Sequence, residues 1–145
     1  MKNEMTFEQA AKATATARAR WMVVDDDEGV LDFIASLLES LGVADVLRFQ
    51  SGRDALAAFN AMPGQFQLVI TDLDMPGMNG IELCRRLRAA APELKVVLAT
   101  GSVTANDAGA RQCGFCGLLS KPFPAAELWR IMSAAGVLNP IASNN

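Results

Sequence analysis

Histidine is absent from the 145 residues. That gap removes His general bases, His metal ligands and any phosphohistidine of the chain's own, and with them the Ser-His and Cys-His catalytic arrangements. Cysteine is scarce and odd in number, at three, so no complete disulfide framework is implied. Any metal site must be built from oxygen ligands or from cysteines. No apolar run reaches the roughly 18 residues that a membrane helix requires. A secretory h-region is missing too, because Lys2, Glu4, Glu8 and Lys12 interrupt the N-terminus, and the acids there spoil a transit-peptide pattern. Basic charge is not in excess: 13 Lys and Arg face 16 Asp and Glu, for a net charge of -3, which argues against a nucleic-acid-binding surface. A soluble, cytoplasmic protein with neither membrane nor nucleic-acid partner is the simplest expectation.

What is present is apolar: 51% of the residues are hydrophobic and 20% charged, enough for one domain with a full core. Residues 1–20 stand apart as an extension, disordered or a short alanine-faced helix. Such a helix would dock on the domain or on a second copy, so a homodimer is one arrangement it allows. From Trp21 to Gly136 the chain reads as five strand–helix units. The expected strands are 21–24, 43–49, 66–71, 95–99 and 115–120. Helices are expected over 30–41 (Val30, Ile34, Leu37, Leu38 and Leu41 inward), after a Ser51 cap, around Ile81–Leu87, weakly over 103–113, and over 125–135 with Leu128, Ile131 and Met132 inward. Residues 137–145 form a tail. Strands this apolar predict a parallel α/β sheet with helices on both faces.

The unit around which the rest is arranged is Thr71-Asp72-Leu73-Asp74-Met75-Pro76-Gly77. An apolar strand ends there in a Pro-Gly turn, so Asp72 sits where a buried strand opens into a loop. Taken alone it is a turn aspartate, or else a nucleophile or metal ligand. In an open α/β sheet the strand C-termini share one edge, where ligands bind. The first strand delivers Asp25, Asp26 and Asp27 to that edge, the third Asp72, the fourth Thr100 and the fifth Lys121. Clustered carboxylates repel unless a cation joins them, and an all-oxygen set suits Mg²⁺ or Mn²⁺. Such a metal with waters left over is a phosphate site. A carboxylate in line can take the phosphoryl group as an aspartyl phosphate, with Lys121 adding positive charge and Thr100 a hydroxyl.

Val23-Val24-Asp25-Asp26, Thr71 to Gly80 (TDLDMPGMNG), Ala99-Thr100-Gly101 and Lys121-Pro122-Phe123 together resemble the response-regulator receiver domain, in matching order and spacing over about 21–136. The resemblance implies a flavodoxin-like (βα)5 doubly wound fold with strand order 2-1-3-4-5. It implies that Asp72 is the phosphoacceptor, charged by a histidine kinase or a His phosphotransfer protein. Asp26 would be a direct metal ligand, Asp25 would act mostly through water, and the Asp74 backbone carbonyl would complete the protein ligands. Thr100 matches the switch hydroxyl and Lys121 the phosphate-binding lysine. Asp74 and Ser102 flank the site as tuning residues. Output would pass through the face made by the fourth helix, fifth strand and fifth helix to a protein target, with no room for a DNA-binding or catalytic domain. Two positions depart from the family: Leu118 stands where receivers carry an aromatic, and Asp27 adds an acid that is either a loop cap or extra outer-shell charge.

Two rival classes meet the same residues. Asp72-Leu73-Asp74 looks like the DxD of HAD-type phosphatases, but Pro76 occupies the position that needs Thr or Val, and the motif is on the third strand rather than the first. A receiver-like scaffold that binds partners without phosphorylation usually lacks the acceptor or the lysine, and both are here. Cys113-Gly114-Phe115-Cys116 closes a helix rather than opening one, so it reads as two small, partly buried thiols and not as a redox or zinc motif. Arg85, Arg86 and Arg88 are expected to face water, and Trp21 and Trp129 to pack at element edges.

Overall fold

The structure, a computed structural model, describes residues 18–101 and 113–138. Five strands, β1 (Ala19–Val24), β2 (Ala44–Phe49), β3 (Leu68–Asp72), β4 (Lys95–Thr100) and β5 (Gly117–Ser120), form one sheet in the order β2-β1-β3-β4-β5. Every adjacent pair is parallel. Among the described residues four helices connect or follow them: α1 (Glu28–Glu39), α2 (Gly52–Ala61), α3 (Gly80–Ala90) and α4 (Ala125–Ala134). The segment 103–113, expected as a weak helix, lies outside the described residues except for Cys113, as do Ser102, all but the last three residues of the 1–20 extension and the tail beyond Leu138.

Alternating side chains on each strand feed two cores. Met22, Val24, Val69, Val96 and Leu98 pack with Ala55 and Phe59 of α2 and Leu83, Cys84 and Leu87 of α3. Trp21, Val23, Leu68, Ile70, Val97 and Ala99 pack on the other face with Leu31, Ile34, Ala35 and Leu38 of α1 and Leu128, Ile131 and Met132 of α4. All five residues of β3, the central strand, are buried. Burial of each Leu, Ile or Val of this kind contributes about 1.5–3 kcal/mol, which is why the apolar strands hold the middle of the sheet.

The caps that start three helices are short polar side chains that accept a first-turn N–H: Asp27 from Val30 at 3.1 Å, Ser51 from Asp54 at 3.1 Å and Asn79 from Glu82 at 2.8 Å. Asp27 is thus the loop cap of the two readings offered for it.

Several expectations shift. β1 starts at Ala19, because its backbone pairs with Ala44 and Asp45 before the apolar run begins. β3 and β5 start two residues late; Phe66 instead stacks on Phe59 with ring centroids 5.8 Å apart. On α1 the fully buried residues are Leu31, Ile34, Ala35 and Leu38, while Val30, Leu37 and Leu41 pack at the rim. Arg88 does not stand in water like Arg85 and Arg86: it is half-buried, donates to the Leu94 carbonyl at 2.8 Å, and lies over Gly114, where no side chain intervenes.

Trp21 is fully buried in the sheet and Trp129 half-buried on α4. The two thiols expected to be partly buried differ: Cys113 is buried and Cys116 exposed, while Cys84 is buried and its thiol donates to the Cys113 carbonyl at 3.2 Å.

Candidate functional site: an acid cluster at the strand ends

Parallel pairing continues one residue past three strands and fixes the backbone of the site. Asp25 donates its N–H to the Phe49 carbonyl at 3.0 Å, Leu73 to Ala99 at 3.2 Å, and Lys121 to Thr100 at 2.8 Å. Asp25, Asp72, Thr100 and Lys121 are therefore delivered to one edge by the ladder itself. The loops after β1 and β3 part to opposite faces there, which makes the crevice at which open sheets bind ligands.

The ammonium of Lys121 bridges two carboxylates. Its Nζ lies 2.7 Å from Asp25 Oδ2 and 3.1 Å from Asp72 Oδ1. Asp25 is 1% exposed, Asp72 7% and Thr100 1%. The second oxygen of Asp25, Oδ1, accepts the Asp27 N–H at 2.9 Å. Asp26 is exposed, yet Asp25, Asp26 and Asp72 each present an oxygen within 4.8 Å of the others. An apolar cavity of about 520 Å³ opens beside Lys121, lined by Val30, Phe33, Pro122 and Phe123.

The electrostatics follow from burial. Desolvation pushes the Asp72 carboxyl above the ordinary carboxylate value and the Asp25 charge adds to it, while Lys121 and the backbone of Asp74 pull it back. Burial works against the Lys121 ammonium, but its hydrogen bonds to Asp25 and Asp72 outweigh this and hold it above the ordinary lysine value. Three carboxylates against one ammonium leave the cluster negative. Its donors are all oxygen, the set that fits a hard divalent cation.

Of the residues singled out in the sequence, Asp25, Asp26, Asp72, Thr100 and Lys121 come to this edge. Asp74 is exposed in the following loop, with its backbone bonded to Asp72. Leu118 lies in register with Leu98, two residues before Thr100, and packs half-buried against the core shared with α2 and α3. Ser102 is outside the described residues. Two further residues of the Thr71–Gly80 motif, neither of them given a role by the sequence, touch the backbone of Asp72. Thr71 donates its hydroxyl to the Asp72 carbonyl at 3.0 Å. Gly80 brings the first turn of α3 against the Asp72–Leu73 peptide, donating to the Leu73 carbonyl at 2.8 Å. A glycine opening a helix was the signal available for the second.

Known proteins resemble this chain in sequence and fold. The profile of the response regulator receiver domain matches residues 21–133. The chain is 34% identical over 122 residues to the transcriptional regulatory protein FixJ of Bradyrhizobium diazoefficiens, covering 83% of this chain and 58% of that one. It is 34% identical over 113 residues to the DNA-binding response regulator MtrA of Mycobacterium tuberculosis, covering 78% and 48%. The chain thus spans about half the length of these curated relatives. Among solved structures, a receiver domain protein from Clostridium thermocellum superposes with a TM-score of 0.73 at 30% identity over 81% of this chain and 93% of that one. The response regulator TrrA of Thermotoga maritima, solved with Mg²⁺ and BeF, gives 0.73 at 25% identity over 81% and 98%.

Fold and site define a phospho-signalling module of the flavodoxin-like class. The chain belongs to the response regulator receiver domain family of two-component signalling, with the aspartate cluster at the family's phosphorylation site. Among its described residues no helix is long and apolar enough to cross a membrane.

Proposed function

We propose that this chain is a phosphorylation-dependent switch in which Asp72 accepts a phosphoryl group from a histidine kinase or a His phosphotransfer protein in the cytoplasm. The observation that carries the reading is the Lys121 ammonium held between Asp25 and Asp72 at 2.7 and 3.1 Å, with the Asp26 carboxylate beside them. In the transfer a carboxylate oxygen of Asp72 attacks the phosphorus of an N-phosphorylated imidazole. The P–O bond forms as the P–N bond breaks, and the electron pair stays on the imidazole nitrogen, which takes up a proton. The donor imidazole must come from outside these 145 residues, which contain no histidine.

Asp25, Asp26, Asp72 and the backbone carbonyl of Asp74 are the residues that would hold Mg²⁺ (or Mn²⁺), which would neutralise charge on the phosphoryl oxygens. Asp26 and Asp72 would bind it directly, and Asp25, already engaged by Lys121, would act mostly through water. Lys121 stabilises the charge that develops on the transferring group. The Thr100 hydroxyl donates to the phosphoryl once it is on Asp72, and its movement carries the signal toward the segment after β4. Hydrolysis by water returns the carboxylate and inorganic phosphate, at a rate tuned by Asp74 and Ser102. Output is by protein contact over the face that includes β5 and α4, and Leu118 there replaces the family's aromatic with a smaller apolar contact. A homodimer is one form that contact can take. FixJ and MtrA are named as transcriptional and DNA-binding regulators, and the part of them that this chain matches would supply the switch.

Exposure to acetyl phosphate with Mg²⁺, followed by intact mass, tests this. Wild type gains the mass of one phosphoryl group and Asp72→Asn gains none. No uptake by wild type points to a receiver-like scaffold, and uptake by Asp72→Asn overturns the acceptor assignment. Turnover of a small phosphate ester would revive the phosphatase reading.

A further inference from the structure

We propose that Thr71 and Gly80 are positioning residues for Asp72, clamping its peptide so that the carboxylate faces Lys121 and the acid pair. The inference rests on the reading of Asp72 as phosphoacceptor and names what holds it in place. The backbone of Asp72 and Leu73 is gripped from three sides. From β4, the Ala99 carbonyl takes the Leu73 N–H at 3.2 Å. From within β3, the buried Thr71 hydroxyl donates to the Asp72 carbonyl at 3.0 Å. From α3, Gly80 donates to the Leu73 carbonyl at 2.8 Å.

The third contact is possible only without a side chain. A methyl at Gly80 would overlap the Asp72 carbonyl oxygen and come within 3.0 Å of Leu73 Cα and 3.1 Å of the Asp72 carbonyl carbon. All of these atoms are backbone, so neither partner can swing away, and α3 or the acceptor peptide must move. Gly80 is helical and has no positive φ. The glycine is therefore required for close approach and not for backbone freedom. Asn79 fixes the entry of α3 by capping Glu82, and Leu83, Cys84 and Leu87 seat the helix in the core. A displacement at Gly80 is thus passed to its contact, the acceptor at the last position of β3. In-line transfer is sensitive to such shifts: about 1 Å of misplacement can cost on the order of 100-fold in rate.

The test compares Gly80→Ala with Gly117→Ala in the full chain. A methyl at Gly117 meets Ile131 Cγ2 at 2.5 Å, a clash between edge strand β5 and α4 that involves no backbone of Asp72 or Leu73. Three quantities are read: thermal midpoint, Mg²⁺ affinity by calorimetry, and the rate of phosphorylation by acetyl phosphate in saturating Mg²⁺. Both variants lose thermal stability. Gly80→Ala loses on the order of 10- to 100-fold in phosphorylation rate and binds Mg²⁺ more weakly, whereas Gly117→Ala keeps both near wild type. Should Gly80→Ala fail to fold, Thr71→Val and Thr71→Ser decide the matter, since valine keeps the shape and loses the hydroxyl while serine restores it. Thr71→Val slowed and Thr71→Ser recovered supports the clamp. Wild-type rate and Mg²⁺ affinity in folded Gly80→Ala, or in Thr71→Val, overturns it while leaving the acceptor assignment standing. If wild type takes no phosphate, the acceptor reading fails first, and this inference with it.

Discussion

On the surface, Arg48 of β2 meets Glu39 of α1 through both carboxylate oxygens, at 2.8 and 3.1 Å, and Asp32 at 3.2 Å. At the strand ends, Lys121 meets Asp25 and Asp72 at 2.7 and 3.1 Å. The distances are alike and the consequences opposite. The hydrogen bond from Arg48 draws the Glu39 carboxyl below its ordinary value. Asp72 moves the other way, because burial outweighs the lysine beside it. A charge pair is therefore worth what its solvent allows. Around α1, water screens whatever charge is left over. At the strand ends two buried carboxylates share one ammonium, with the exposed Asp26 beside them, and the unbalanced charge is what would draw a cation and, with it, a phosphoryl group.

Breaking the buried set should have the largest effect. Lys121→Met leaves Asp25 and Asp72 without their shared counter-charge. Removing one partner of a buried pair is strongly destabilising, and for a half-buried lysine the low end applies, about 3 kcal/mol at neutral pH, readable by denaturant unfolding. The folded pKa of Lys121 is raised above 10.5. Its contribution is therefore complete below that value and is lost as pH rises through the folded one, so wild type should show an alkaline decline that Lys121→Met lacks. An unchanged unfolding midpoint in Lys121→Met would mean that water screens this cluster as it does the surface.

Asp72→Asn should act in the opposite direction and less strongly. A raised carboxyl pKa stabilises the fold fully below the ordinary 3.8, and that contribution is lost as pH rises through the folded value. Without metal, Asp72→Asn should therefore be more stable than wild type at neutral pH, and the lead should close as pH falls toward 3.8. Mg²⁺ should reverse the order. Binding to the folded state alone adds about 2.7 kcal/mol at roughly 100 times Kd, and the variant has lost a ligand. Chelator and Mg²⁺ melts of both proteins check this. A wild type insensitive to Mg²⁺ would break the link between charge imbalance and cation.

How much of this is legible in the sequence follows from the kind of signal each residue gives. The sheet and its edge are readable because apolar strand runs and Pro-Gly breaks are local. Asp25, Asp26, Asp72, Thr100 and Lys121 follow from topology, since each ends a strand and parallel strands end together. The clamp on Asp72 is not readable. A threonine in a strand and a glycine at a helix start look ordinary until the helix axis is known, and the overlap at Gly80 depends on the approach of α3, which no local pattern encodes. The same holds for Arg88: three arginines near the end of a helix read as a wet face, but the strand entry at Leu94 and the bare Gly114 give the third somewhere to lie. Asp27 is narrowed to two roles by its position, and helix geometry chooses the cap.

The smallest effect belongs to the exposed pair. Glu39→Gln keeps the shape and removes the charge that Arg48 holds. The Glu39 carboxyl lies below its ordinary 4.5, so its contribution is present above that value and fades as pH falls through the folded one, the reverse of Asp72. At neutral pH and low salt the variant should melt slightly below wild type. At about 1 M salt, where the screening length is about 3 Å, the difference should vanish. The Lys121→Met difference should persist there, because salt reaches a buried cluster poorly. Two melts at two ionic strengths thus separate the regions. If Glu39→Gln proved as costly and as salt-resistant as Lys121→Met, solvent would not be what divides them, and the charge imbalance at Asp72 would lose its special standing.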